Sequence, residues 1–307
     1  MIPAPIIVPA ERSTGAALVA RHSSRSSATA QRRPSSIRPG LRTEKSLLGP
    51  DCVRLAAMDE VGRGSLAGPV TIGIVVVTAR IGRVPQGLRD SKLLTAAARD
   101  ALVAPIRRWA PEHAVGHASA AEIDAIGIMS ALRRAAGRAF AQLSAPVDAV
   151  LLDGKHNYLK PPPPLVLGST SAAEQDGLFA PPIDPVRAEA ALWSPIPDGL
   201  PVHLKIKADL TCAGVAGASV LAKTSRDALM RRLDRHFPEY GFAGNKGYAA
   251  VEHRDALLRL GPTLIHRRSW SFLGNPATAV SMDSANPYEG DDGAGPTAGA
   301  DGEREQA

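Results

Sequence analysis

The segment Val70–Thr78 (VTIGIVVVT) is β-branched at every position except Gly73. Side chains of this type are enriched in strands, so this is the strongest predicted strand of the chain. The other predicted strands, two of them from weaker patterns, are Leu55–Val61, Val147–Leu152, His113–Ser119 and Leu204–Lys207. Helical periodicity predicts helices at Thr95–Trp109, Ile128–Leu143, Ala213–His236 and Ala249–Leu260. Strands and helices together indicate one α/β domain.

Composition separates a central part from two flanking segments. Residues 1–50 are rich in Arg, Ser and Pro, with seven arginines and one lysine against two glutamates. Such a segment buries too little apolar surface to offset its ordering entropy, so we predict a disordered basic extension. Its composition also resembles an organelle transit peptide, but a solvated tail or a start codon assigned too far upstream is favoured. Residues 276–307 carry seven acids against Arg304 and predict a disordered acidic tail.

The predicted domain spans residues 51–275 and is interrupted at residues 160–201. That stretch holds four consecutive prolines and six further ones, which forbid regular structure over most of it. We therefore predict an inserted, irregular surface loop. The charges of the two flanks cancel, so the central part carries the whole-chain net charge of +6. A basic body suits a polyanionic partner, although many proteins without such a partner share this charge.

Cysteine content and hydropathy exclude several classes of protein. Cys52 and Cys212 are the two cysteines and form no C-x-x-C pair. This argues against a disulfide scaffold and a cysteine-built zinc site, and it fits a reducing compartment, so we predict a cytoplasmic protein. The longest apolar stretch, Ile72–Ala79, is too short to span a bilayer, so no membrane partner is expected.

Four carboxylates lie where predicted strands end or helices begin. Asp59 and Glu60 lie near the end of the first strand, Asp153 directly follows another, and Asp209 precedes the longest helix. Carboxylates that converge repel one another unless a cation neutralises them, and oxygen ligands favour Mg²⁺ or Mn²⁺ over zinc. Two such ions could activate a water and stabilise the leaving oxygen in phosphodiester cleavage. Taken singly, an Asp after a strand is usually a turn residue or a helix cap, and Asp209 could cap the helix near Ala213.

Two other motifs suggest different chemistry. Residues 62–67 (GRGSLA) match the dinucleotide-binding G-x-G-x-x-G/A pattern, but that pattern requires a helix next, and a strand follows here. A P-loop fails because no Gly-Lys-Ser/Thr closes the motif. Ser219 and Lys223 are four residues apart, whereas a serine–lysine hydrolase needs three, so Ser219 is expected to provide close packing. The glycines instead suggest a backbone that approaches a ribose hydroxyl or phosphate closely.

Taken together in order, these motifs resemble the type 2 ribonuclease H (ribonuclease HII) family. The matching blocks are Met58–Gly64 with Ala67–Val70, Asp90–Leu93, Leu152–Gly154, Lys207–Asp209 with Ala218–Lys223 and Arg226–Asp227, Asn245–Tyr248 with His253, and His266–Trp270. The resemblance runs from about Arg54 to Phe272, apart from the proline-rich loop. Six ordered blocks are far more specific than any one of them.

The resemblance implies an α/β, ribonuclease H-like fold with a mixed five-stranded sheet flanked by helices and a C-terminal helical part. It implies that Asp59, Glu60, Asp153 and Asp209 bind Mg²⁺ or Mn²⁺ and catalyse hydrolysis of RNA/DNA hybrids and of ribonucleotide-containing duplex DNA. Gly62, Arg63 and Gly64 would recognise the ribonucleotide 2′-hydroxyl, and Tyr248 would stack on the neighbouring sugar. Lys92, Lys223 and Arg226 are candidates for phosphate contacts, although solvation on a helix surface is an equal interpretation for Arg226. A monomer is expected.

The chain departs from the family pattern at a few positions. Ala249 and Ala250 replace a frequent Gly and Thr, which weakens the expected setting of Tyr248. Ala208 stands where Gly is frequent and Gly217 where Ala is usual. The 160–201 insertion puts substrate access in question. A protein that binds nucleic acid without catalysis, and more weakly a dinucleotide-dependent enzyme, are the rival hypotheses; retention of all four acids favours the enzyme.

Overall fold

The structure is a computed structural model that describes residues 38–161, 196–197 and 199–270. Its strands are β1 (Leu55–Val61), β2 (Val70–Val77), β3 (His113–Ala118), β4 (Ala149–Asp153) and β5 (Val202–Lys205). Its α-helices are α1 (Arg42–Leu47), α2 (Ala96–Trp109), α3 (Ala120–Phe140), α4 (Ala208–Thr211), α5 (Ala213–Asp234), α6 (Phe242–Asn245) and α7 (Val251–Leu260). Most of the predicted loop, residues 1–37 and the predicted acidic tail lie outside the described residues.

The five strands form one mixed sheet in the order β3-β2-β1-β4-β5. β1 and β2 form an antiparallel hairpin, β3 continues it antiparallel, and β4 and β5 run parallel to β1. Residues 62–67 therefore join two antiparallel strands, which contradicts the helix that a dinucleotide-binding motif requires. The α/β class and the five-stranded mixed sheet predicted from the sequence are confirmed.

Helices cover both faces of the sheet. On one face α3 packs against Ile72 and Ile74, and on the other α2 and α5 pack against Val75 and Val77. Helix α5 approaches β2 closely at Gly73, where a Cβ would clash with the carbonyl of Ala218. The observed burial of both faces explains why β2 is apolar almost throughout.

Several predicted boundaries were wrong. The helix predicted from Ile128 begins at Ala120, where Ser119 and Glu122 form a capping box, and Gly127 (φ 75°) interrupts it. This interruption breaks the periodicity on which the prediction depended. β5 spans Val202–Lys205 instead of Leu204–Lys207, because Lys207 is left-handed (φ 56°) and turns the chain. The last two predicted helices are shorter, at Ala213–Asp234 and Val251–Leu260.

The body of the protein also begins before residue 51. Helix α1 lies within the segment predicted to be disordered, and the Glu44 side chain is fully buried. Glu44 Oε1 accepts a hydrogen bond from Gly214 N at 2.8 Å, in the first turn of α5. The N-cap of α5, Cys212, provides no side-chain cap, so Glu44 satisfies an amide that would otherwise lack a partner. Gly40 also exchanges backbone hydrogen bonds with Thr211 and Ala213, so long-range contacts can order a charged segment.

Candidate active site

Three of the four predicted acids meet at one edge of the sheet. β1 and β4 are parallel and Met58 pairs with Leu152, so the next residues, Asp59 and Asp153, lie at the same end of the sheet. Asp209 reaches this point from α4, after the turn that follows β5. One carboxylate oxygen from each of the three lies within 4.8 Å of the others.

Burial and mutual repulsion shift the titration of these acids. The Asp59 and Asp209 residues are only 7% and 3% exposed. Burial, followed by the charges of Glu60 and Asp153, raises the pKa of Asp59 well above its usual value. Burial and the Asp153 charge raise the pKa of Asp209 to about 6, and burial also raises the pKa of Asp153. The carboxylates are therefore held together at an electrostatic cost that a bound cation would remove.

Short hydrogen bonds orient the carboxylates. Asp153 Oδ1 accepts from Ala208 N at 2.7 Å, and Asp59 Oδ1 accepts from Glu60 N at 2.9 Å. The Ser219 hydroxyl on α5 lowers the pKa of Asp59, opposing burial, and hydrogen-bonds to Ser91 Oγ at 2.8 Å. Ser219 therefore packs closely, as predicted, and also lies beside an acid of the site.

The donor set fits a divalent cation of the magnesium type. The three acids would offer it carboxylate oxygens, and their spacing lets three of these oxygens contact one ion. Lys92 lies beside the group, with Nζ 3.5 Å from Asp209 Oδ2. The interpretation of Asp209 as a cap of the following helix is not supported, because the N-cap of α5 is Cys212.

Glu60 is not part of the three-acid group. As the neighbour of Asp59 on a strand it points to the opposite face of the sheet. Its Oε1 lies 4.0 Å from the Arg63 guanidinium. Burial raises the pKa of Glu60 to about 7, with Arg63 opposing and the Asp153 charge adding to the shift. The pKa of Glu60 therefore responds to the charge of Asp153, although Glu60 lies outside the three-acid group.

Tyr158 was missed by the sequence analysis. It lies in the turn that follows β4, 3% exposed, and its hydroxyl has no hydrogen-bond partner among the described residues. Burial and the charges of Glu60, Asp59 and Asp153 raise its pKa well above the usual value. A phenol donor therefore lies near the acids. Its position shortly after Asp153 in the sequence was the only signal that could have identified it.

The predicted substrate-binding residues lie around this edge in different environments. Gly62 is left-handed (φ 86°), and Gly64 is exposed with open space at its Cβ position. The Lys92 side chain is 67% exposed, whereas Lys223 is one-fifth exposed and bonded to Asp227 at 3.2 Å. Tyr248 is 38% exposed, and the Arg226 guanidinium lies 5.4 Å from the centre of its ring.

Both interpretations of Arg226 were wrong. The residue is neither a phosphate ligand nor a solvated helix residue, because it is fully buried and donates to backbone carbonyls. Arg267, which was assigned no role, is also fully buried and bonded in the same manner. Long polar side chains are rarely buried unless every donor finds a partner, and the sequence does not show where such partners lie.

The sheet order and the acids at the ends of β1 and β4 define the class as a ribonuclease H-like α/β protein. The crystal structure of the ribonuclease H2 from Pyrococcus horikoshii OT3 shares this fold, with a TM-score of 0.51 over 71% of this chain and 94% of that chain, at 23% identity. The family model Ribonuclease HII matches residues 56–166 and 180–272, which is more than half of the chain.

Two curated relatives agree with this match. The ribonuclease HII of Streptomyces avermitilis is 41% identical over 219 residues, covering 71% of this chain and 77% of that protein. That of Thermus thermophilus is 38% identical over 217 residues, covering 71% and 86%. The chain belongs to the ribonuclease HII family and is a ribonuclease H enzyme, as the resemblance of its motifs implied.

Proposed function

We propose that the protein hydrolyses the RNA strand of RNA/DNA hybrids and incises duplex DNA at embedded ribonucleotides, leaving 5′-phosphate and 3′-hydroxyl ends. The convergence of the Asp59, Asp153 and Asp209 carboxylates, with one oxygen from each within 4.8 Å of the others, carries this proposal. Such an activity would serve the removal of ribonucleotides during DNA replication and repair. Family membership supports the nuclease class, and the net charge of +6 is compatible with a polyanionic substrate.

Asp59, Asp153 and Asp209 would hold Mg²⁺ or Mn²⁺, with Glu60 beside them. The cations would supply an activated water and stabilise charge on the leaving oxygen. Asp153 is kept in position by the Ala208 amide, and Asp59 by the Glu60 amide. Lys92 is exposed beside Asp209 and would bind a substrate phosphate.

The loops next to the acids supply substrate recognition. The backbone of Gly62, Arg63 and Gly64 would hydrogen-bond to the ribonucleotide 2′-hydroxyl, which is the group that separates RNA from DNA. Tyr248 would stack on the neighbouring sugar and detect an RNA-to-DNA junction. Lys223 would contact a phosphate only after release from Asp227, so its contribution is expected to be smaller than that of Lys92.

The test uses three substrates: duplex DNA with one ribonucleotide, the same duplex without it, and a continuous RNA/DNA hybrid. We expect cleavage of the first and third with Mg²⁺ or Mn²⁺, none with chelator, and a 5′-phosphate at the mapped cut. Equal cleavage of the all-DNA duplex, or cleavage in chelator, would refute the proposal. A protein that binds nucleic acid without catalysis would bind all three substrates and cut none of them.

The setting of the protein is also a proposal. Cys52 and Cys212 are both free thiols, which supports a reducing, cytoplasmic location. Within the described ranges no helix is long and apolar enough to cross a membrane. We expect a monomer, which light scattering of the purified protein would test.

A further inference from the structure

Two loops that the proposed function treats as separate recognition elements are joined through their backbones. We define the GRG loop as residues 62–69 and the tyrosine loop as residues 245–248. Leu66 N and Ala67 N of the GRG loop both donate to Gly247 O of the tyrosine loop, at 2.8 and 3.2 Å. Gly247 is left-handed (φ 81°), and a Cβ there would clash with the Ala67 carbonyl. The two loops are therefore in direct contact.

Arg226 bonds to both loops at once. Its Nε donates to Pro69 O at 2.8 Å, and one terminal nitrogen donates to Ala67 O at 3.1 Å and Ser65 Oγ at 2.7 Å. The other terminal nitrogen donates to Lys246 O at 2.9 Å, and the guanidinium lies against the Tyr248 ring. Because the guanidinium is planar and rigid, these bonds fix the relative position of the two loops.

Arg267 sets the direction of the peptide groups in the GRG loop. Its terminal nitrogens donate to the carbonyls of Gly62 and Arg63, and to Ser65 Oγ at 3.0 Å. In a trans peptide the carbonyl and the following N–H point in opposite directions. The N–H groups of Arg63 and Gly64 therefore point away from Arg267, and within the described ranges neither donates a hydrogen bond.

We propose that Arg226 and Arg267 are positioning residues that fasten the GRG loop and the tyrosine loop into one rigid unit. Arg267 presents the amides of Arg63 and Gly64, and Arg226 sets their distance from Tyr248. Recognition of the 2′-hydroxyl and stacking at the neighbouring sugar are then energetically coupled. This coupling rests on the proposed function, whereas the rigid unit itself can be measured without it.

The structural part is tested by hydrogen exchange in the absence of substrate. The variants are Arg226→Lys, which cannot reach carbonyls on both loops, and Ser65→Ala, which removes a hydroxyl bonded to both arginines. The matched control is Arg54→Lys, because Arg54 also donates to backbone carbonyls, those of Ala145 and Pro146, at the opposite end of β1. We expect the Leu66, Ala67 and Tyr248 amides to exchange at least about tenfold faster in Arg226→Lys and less so in Ser65→Ala. Unchanged exchange in either loop of Arg226→Lys, or of Ser65→Ala if the lysine variant does not fold, would overturn the rigid unit.

The functional part is tested by comparing affinities for a duplex with one ribonucleotide and for the same duplex without it. We expect Arg226→Lys to lower this ratio about tenfold, the effect of one or two lost hydrogen bonds, and Arg54→Lys to leave it unchanged. Tyr248→Ala should lower the ratio in the wild-type background and have no further effect in Arg226→Lys. Additive effects, which a merely structural role would give, would overturn the coupling.

The two proposals fail in different ways. If the wild-type protein does not distinguish the two duplexes, the proposed function is wrong, and the exchange rates still decide whether the loops form one unit. If the wild-type protein distinguishes them and Arg226→Lys does so equally well while its loops exchange faster, the coupling is wrong and the proposed function stands.

Discussion

The carboxylates at the sheet edge repel one another, which lowers the stability of the fold. Replacing one aspartate by asparagine removes its charge with little change in side-chain shape. We expect Asp59→Asn or Asp153→Asn to lower cleavage by about 100-fold or more, because each removes a charged ligand from the three-acid group. The matched control is Asp148→Asn, since Asp148 accepts from the Val53 and Arg54 amides away from the acids. It should retain activity. Full activity of both site variants in a magnesium assay would contradict the assignment.

The raised pKa values predict a pH dependence of stability. The pKa of Glu60 rises from 4.5 to about 7 and that of Asp209 from 3.8 to about 6 on folding. A raised pKa in the folded state stabilises the protein at low pH, and this contribution is lost as the pH rises through 6 and 7. The charge of Asp153 raises the pKa of both Glu60 and Asp209. Asp153→Asn should therefore reduce the stability that is lost as the pH rises.

Thermal unfolding in chelator between pH 4 and pH 8 measures this effect. The difference in melting temperature between Asp153→Asn and wild type should increase with pH over the window from about 4 to about 7. It corresponds to roughly 1–3 kcal/mol. Titration of His266, whose pKa burial lowers to about 4, is common to both proteins and cancels in the difference. A difference that is constant or falls with pH would be inconsistent with repulsion among the acids.

We expect removal of the Tyr158 hydroxyl to have little effect on the free energy of unfolding. It has no hydrogen-bond partner in the part of the chain that the structure describes, so Tyr158→Phe should change the free energy of unfolding by less than about 0.5 kcal/mol, or increase it. Tyr240→Phe is the control, because Tyr240 donates to Gly261 O at 2.6 Å, and it should cost about 1 kcal/mol. Urea denaturation compares the two. An equal loss in both variants would show that Tyr158 is bonded in the folded protein.

At the scale of elements, the close packing of α5 on β2 fixes where the long helix passes the acids. Ser219 on this helix lies beside Asp59, and Arg226, about two turns further along the same face, holds the GRG loop. The approach depends on Gly73, since a side chain there would meet the Ala218 carbonyl. The lack of a side chain at Gly73 therefore allows this long helix, which lies beside the acids and bonds to the loops, to pack closely on β2.

Two glycine substitutions at this interface should have opposite effects. Gly73→Ala should destabilise the protein by about 3 kcal/mol, because backbone cannot move aside cheaply. Gly217→Ala should stabilise it by about 0.5–1 kcal/mol, because a Cβ there meets neighbours only at 3.4–3.5 Å, which is ordinary contact, and alanine favours the helix. Chemical denaturation of both variants checks this. A stabilising Gly73→Ala would mean that α5 is not held against β2 at this distance.

The departures from the family pattern also act at this scale. Ala208 is buried and its amide donates to Asp153, a contact that does not need glycine. Ala250 precedes α7 and provides no side-chain cap where the family often has Thr. The setting of Tyr248 instead depends on its own backbone: its carbonyl accepts from the Ala250 amide at 2.8 Å and lies 2.7 Å from His253 Nδ1. Loss of the threonine is therefore partly offset.

At the scale of the whole molecule, the acid group joins parts of the chain that are distant in sequence, so a bound cation should stabilise the entire fold. At pH 8, Mn²⁺ at ten times its dissociation constant should add about 1.4 kcal/mol to the free energy of unfolding. The matching rise in melting temperature should be reversed by chelator and absent in Asp153→Asn. The same rise in the variant would place the binding of Mn²⁺ elsewhere.

Local patterns in the sequence predicted much of this protein. The β-branched run of β2, the strand after Gly62–Ala67 and the acids at strand ends each follow from residues close together in the chain, and so did the family resemblance. These features were predictable because strand propensity and turn chemistry act over a few residues. Helix bounds were less accurate where a single residue such as Gly127 changed the backbone direction.

Only the tertiary structure decided which groups meet. It brings Asp59, Asp153 and Asp209 together, leaves Glu60 at the margin, and buries Arg226 and Arg267 against the two loops. It also orders α1 through Glu44. The physical reason is that strand register and helix packing distance determine these contacts, and both depend on partners far away in the chain. The side-chain types at these positions permit several environments, and burial selects one of them.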